Sequence, residues 1–95
     1  MAVYVVAQIS INDRAAYGRY LAGFMDVLRR FEGKLMAADE NPIVEEGEWK
    51  YDKAILISFP DEVLFRRWAG SPDYQMISID RKAGTNGVVI LVKGI

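Results

Sequence analysis

WAGSPDYQMISIDRKAG, residues 68 to 84, places a helix stop directly against a helix start. Gly70 reads as the left-handed end of one helix. Ser71 reads as the cap of the next, with Pro72 at its first position and Asp73 beside the positive end of its dipole. Two abutting caps predict a corner, so one connection turns and packs twice on the same surface. Tyr74, Ile77 and Arg81 then share one helical side at spacings of three and four. An arginine in a row that otherwise reads as core needs a carboxylate, carbonyls or an anion beside it.

Upstream of this corner, KAILISF (Lys53 to Phe59) reads as a strand that closes at Pro60, and Asp61 caps a helix running through Ala69 with Leu64, Phe65 and Trp68 on one side. Downstream, GVVILVK (Gly87 to Lys93) is a last strand. The chain opens on AVYVVAQISI, rich in β-branched residues and read as a strand over about 2–10. Asp13 then caps an amphipathic helix over about 14–32, its buried side formed by Tyr17, Tyr20, Leu21, Phe24, Leu28 and Phe31, ending at Gly33. KLMAAD and PIVEEG flank Glu40-Asn41-Pro42 and read together as a second strand, bent or broken there. The order is strand, helix, strand, strand, helix pair, strand. This is the βαββαβ pattern of a ferredoxin-like α+β fold with an antiparallel sheet, over residues 1–95 as a single domain.

Such a fold covers one sheet face with helices and leaves the other open. Alternation assigns Val3, Val5, Ala7 and Ile9, Ile55, Ile57 and Phe59, and Val88, Ile90 and Val92 to the helix side. Tyr4, Val6, Gln8 and Ser10, Ala54, Leu56 and Ser58, and Val89, Leu91 and Lys93 fall on the open side. A solvated face alternates apolar with polar, and this one does not. Burying each aliphatic side chain is worth roughly 1.5–3 kcal/mol, and a surface salt bridge about 0–1 kcal/mol. The expected answer is a twofold homodimer, sheet against sheet.

Composition narrows the function classes. The 95 residues are 52% hydrophobic with a net charge of −1. The basic pairs Arg29-Arg30, Arg66-Arg67 and Arg81-Lys82 are scattered, so nucleic acid is not an expected partner. Cysteine and histidine are both missing, which removes thiol nucleophiles and the usual metal ligands. Glu45, Glu46 and Glu48 read as a solvated acidic turn rather than an oxygen-ligand set, and neither metal nor cofactor is expected. No apolar run spans a bilayer, and a cytoplasmic protein without membrane contact is the expectation.

The candidate ligand-binding residues are Tyr17, Tyr20, Trp68, Tyr74 and Arg81. Each has a plainer reading. The tyrosines and Trp68 serve equally as core bodies with polar tips, and Trp49 as an edge or dimer contact. For Arg81, an ion pair with Asp80, Glu45, Glu46 or a carboxylate of a second protomer is the expected arrangement, with a bound anion as the alternative.

FPDEVLFRRWAGSPDYQMISIDRKAG resembles the signature of domain-of-unknown-function family 1330, where a Phe-Pro strand end leads to a helix aromatic, Ser-Pro-acid-Tyr and a downstream arginine. NDRAAYGRY and EEGEW are similar to other parts of that family, so the resemblance runs over nearly the whole chain. It departs at Ala38, where many members carry a basic residue, and at Glu32, where histidine or glycine is common. The resemblance implies a dimeric α/β barrel, two ferredoxin-like protomers closing their sheets on each other. It implies three functional options: a protein binding a small aromatic or carboxylated molecule, a cofactor-independent monooxygenase- or isomerase-like enzyme, and a non-catalytic structural or stress-related dimer. A haem barrel ranks below these, lacking a histidine or cysteine ligand.

Overall fold

The computed structural model describes residues 1–95. In chain order it contains β1 (Val3–Ile11), α1 (Arg14–Arg30), β2 (Lys34–Asp39), β3 (Lys53–Phe59), α2 (Glu62–Gly70), α3 (Pro72–Gly84) and β4 (Thr85–Lys93). The four strands form one antiparallel sheet in the order β2-β3-β1-β4, which is the ferredoxin-like arrangement. The core lies between the sheet and the helices. Val3, Val5, Ala7 and Ile9 of β1 and Ile57 and Phe59 of β3 meet Tyr17, Tyr20, Phe24, Val27 and Leu28 of α1, with Trp68 and Tyr74 closing the far side.

Local chemistry sets the element ends. The Asp13 carboxylate accepts from the Ala15 and Ala16 N–H groups, and Asp61 from Leu64 N–H. Helix α1 stops two residues earlier than its periodicity predicts, in a Schellman motif. Gly33 N–H donates to the Leu28 carbonyl and Glu32 N–H to that of Arg29. The left-handed residue of this motif is Glu32, at φ 60°, and not Gly33. Gly33 is needed for space, since a Cβ there would collide with Leu28 and Phe59. Gly70 also differs from expectation. It stays helical, and Ser71 alone turns the corner with φ −67° and ψ 146°.

PIVEEG is not strand. Pro42 removes a ladder donor and the two glutamates prefer water, so β2 ends at Asp39 and an exposed loop leads to Asp52. Beyond it, Asp52 N–H donates to Ile9 O and its carboxylate accepts from Ile11 N–H, at 2.8 Å each. This clip fixes the start of β3.

The face assignment of β4 is reversed. Val5 pairs with Leu91 and Ala7 with Val89, so Val89 and Leu91 lie on the helix side. Val88, Ile90 and Val92 lie on the open side and are 49%, 51% and 41% exposed. Both faces of GVVILVK are apolar, so alternation alone could not orient it. The open face is thereby more apolar than the sequence reading gives. Ile90, Val6, Leu56 and Ala37 form an unbroken row across all four strands.

Candidate functional site

Side chains from every layer of the fold converge on a cavity of about 210 Å³ between the sheet and the helices. Its floor is Val5, Ala7 and Ile9 of β1 with Ile55 and Ile57 of β3, and it reaches both edges of the sheet at Ala38 and Val89. All five candidate residues, Tyr17, Tyr20, Trp68, Tyr74 and Arg81, line it.

Four hydrogen bonds assemble this site. Asn12 and Asp13 N–H groups donate to the Gly84 carbonyl at 2.7 and 3.1 Å, tying the start of α1 to the end of α3. Gly84 permits this approach, because a Cβ there would lie 2.8 Å from the Asp13 carbonyl oxygen and 3.1 Å from Tyr17 N. Arg81 is thus held near Tyr17 and Tyr20. At the corner, Ser71 Oγ donates to the Trp68 carbonyl at 2.9 Å and accepts from Tyr74 N–H at 3.2 Å, leaving the Trp68 and Tyr74 rings 4.0 Å apart.

The tyrosines form a connected set. Tyr17 and Tyr20 stack at 5.9 Å, and the Tyr20 and Tyr74 hydroxyls are 3.1 Å apart and buried. Burial, and next the Tyr74 hydroxyl, push the Tyr20 phenol well above the ordinary tyrosine range, while Arg81 pulls it partly back. One of the two hydroxyls donates to the other, which leaves the acceptor's own proton free to point elsewhere.

Arg81 makes no ion pair within the protomer. Asp80 instead faces α1 and pairs with Arg19 at 3.1 Å, because neighbours in a helix point in different directions. Glu45 and Glu46 lie exposed in the loop after β2. Both Arg81 Nε and Trp68 Nε1 are buried without a hydrogen-bond partner. Such orphaned donors are uncommon in folded proteins.

Lys53 is the site residue that sequence reasoning missed. It is only 7% exposed, lines the cavity, and lays its ammonium over the Tyr17 ring, 4.9 Å from the centroid. No carboxylate pairs with it. The nearby Glu40 is held by Arg14 in a bidentate pair. The signal was present in the strand: alternation from Phe59 through Ile57 and Ile55 reaches position 53 on the helix side. Trp49 stays outside the site, tilted against Tyr51 at 6.4 Å. No three acidic side chains converge on a metal-sized position, and no helix is long and apolar enough to cross a membrane.

The family model for a domain of unknown function, DUF1330, matches residues 2–95. The chain belongs to the DUF1330 family. Among proteins of curated function, none matches it in sequence. Its fold is shared with RPA0582 of Rhodopseudomonas palustris, a protein of unknown function, at TM-score 0.85 and 17% identity over 99% of this chain and 82% of that one. A dimeric ferredoxin-like protein of unknown function from Jannaschia sp. CCS1 aligns at TM-score 0.71 and 18% identity, covering 99% and 100%. SnoaB of Streptomyces nogalater, a cofactor-independent oxygenase, aligns at 0.70 and 16%, covering 99% and 93%. At these identities the likeness extends to the fold, and this DUF1330 chain's chemistry has to be argued from its own cavity.

Proposed function

We propose that this DUF1330 protein is a homodimer whose protomers each hold a small aromatic or carboxylated molecule in the cavity between sheet and helices. The reading rests on the imbalance of the cavity lining. Lys53, Arg81 and Trp68 supply N–H donors and the three tyrosines supply phenols, while no Asp, Glu, Asn or Gln lines the space. An unmatched buried donor costs on the order of 1–3 kcal/mol, more where it is charged. A ligand carboxylate offers only acceptors and a negative charge, so it relieves the donors and the cations together. The aromatic walls suit a ring. Pairing through the open face follows from Val6, Leu56, Val88, Ile90 and Val92, which a lone protomer leaves in water. The dimeric ferredoxin-like protein from Jannaschia sp. CCS1 supports a dimer of this fold.

A second reading is catalysis without a cofactor, favoured by the fold shared with SnoaB and by the same donors, which would hold a developing oxyanion more tightly than a neutral carbonyl. Thermal unfolding against matched panels of monocyclic aromatic acids and amines tests the binding reading. An acid at about 100 times its Kd adds roughly 2.7 kcal/mol, a rise on the order of 10 °C. Amines should add nothing, and silence across all the acids would overturn the proposal. Oxygen uptake in the presence of a stabilising acid would favour the catalytic reading over binding alone.

A further inference from the structure

We infer that the occupant of this cavity is a single-ring hydroxylated aromatic acid, held with its carboxylate and its phenol oxygen both ionised. The inference rests on the ligand-site reading above and adds size and charge to it. Size comes from the volume: a dry cavity of about 150 Å³ admits benzene, so the 210 Å³ here, open toward Leu21 and Val89, best fits one ring with small substituents. Charge comes from counting cations. Lys53 and Arg81 both line the cavity, and neither has a carboxylate partner in the protomer. Neighbouring acids have other partners, Asp80 with Arg19, Asp52 with the Ile11 N–H and Glu40 with Arg14, although Glu40 also feels the Lys53 charge without pairing with it. Lys53 is buried and Arg81 is half-buried with its Nε enclosed, so a monoanion would pair with one of them and a dianion answers both. A cation within about 4–6 Å favours ionisation of an acid by roughly ten- to a thousandfold, against the desolvation that raises the Tyr20 phenol, so the ligand oxygen must sit directly against Lys53 or Arg81. Trp68, Phe24 and Tyr20 supply the ring contacts.

The test uses the full chain with 4-hydroxy-3-nitrobenzoate, whose phenolate alone is strongly coloured. Binding is followed by calorimetry and ionisation by absorbance. The bound phenol should ionise at least one pH unit below its free value, a tenfold shift. 3-Nitrobenzoate, the same molecule without the phenol, should bind at least tenfold more weakly, and 6-hydroxy-2-naphthoate should bind more weakly still. Lys53→Met should abolish most of the ionisation shift, and Lys53→Arg should retain it. A probe that binds but titrates as in water would overturn the inference and leave the ligand-site reading standing, as would equal affinity for 3-nitrobenzoate. Equal affinity for the naphthoate would overturn the single-ring assignment. Absence of binding by all three compounds would remove both. Should Lys53→Met fail to fold, the wild-type comparison of the three compounds still decides the matter.

Discussion

Placing a charge at the centre of the open sheet face, as Ile90→Lys, should dissociate the dimer without unfolding the protomer. Ile90 sits midway along β4, opposite Val6, and is already 51% exposed in the isolated protomer. Its replacement should therefore cost the protomer no more than about 1 kcal/mol, the range of strand propensity. Within a sheet-to-sheet interface the balance is different. The lost apolar contact is worth on the order of 1 kcal/mol, and an ammonium left in the interface costs several kcal/mol before it reaches toward water. A twofold axis presents the change twice. Even about 2 kcal/mol per protomer gives about 4 kcal/mol per dimer, raising the dissociation constant roughly a thousandfold. Sedimentation equilibrium at micromolar protein, with circular dichroism to confirm the fold, reads the outcome, and Ile90→Val is the control that should remain dimeric. An Ile90→Lys protein that associates as tightly as the wild type would refute the assignment of this face, and a wild type that sediments as one protomer would refute the dimer itself.

Two further outcomes follow from the backbone and the tyrosine pair. Glu32→Gly should stabilise the protein by about 1 kcal/mol, a Tm rise of roughly 4–8 °C, because glycine occupies φ 60° without a side-chain clash; Glu32→Gln, with the same backbone restriction, should not, and equal melting temperatures for the two would refute the strain. Tyr20 has a phenol raised above its unfolded value, so the folded state holds that proton more tightly. Its contribution is complete below about pH 10 and is lost as pH rises beyond that value. Tyr20→Phe should flatten the alkaline decline seen in urea melts at a series of pH values, while losing about 0.5–1.5 kcal/mol at neutral pH with the Tyr74 hydrogen bond. An unchanged alkaline slope would count against the burial of that hydroxyl.

Element order was legible because caps and periodicities agree along the chain. Asp13, Asp61 and Ser71 each cap a helix where the spacing of apolar residues begins. What failed were choices that local pattern leaves degenerate. GVVILVK is apolar on both faces, and only its pairing with β1 orients it. PIVEEG carries β-branched residues but has no neighbouring strand to receive them. Glycine marks where helices end, yet at Gly33 it supplies room and at Gly70 neither strain nor turn. The five sequence-derived site residues do meet in one cavity. Arg81's solitude was not legible, since it depends on Asp80 being engaged by Arg19 across the helix pair. Lys53 was overlooked because a lysine at the first position of a strand ordinarily reads as a solvated end.

Ser71 has an optical consequence. One hydroxyl closes α2 and opens α3, which fixes the Trp68 and Tyr74 backbones against each other and sets the indole beside the phenol. A molecule that displaces Tyr74 changes the surroundings of the indole, while Trp49 stands apart against Tyr51, outside the cavity. Emission from a Trp49→Phe variant would then follow occupancy of the protein's interior directly, without a dye or a label.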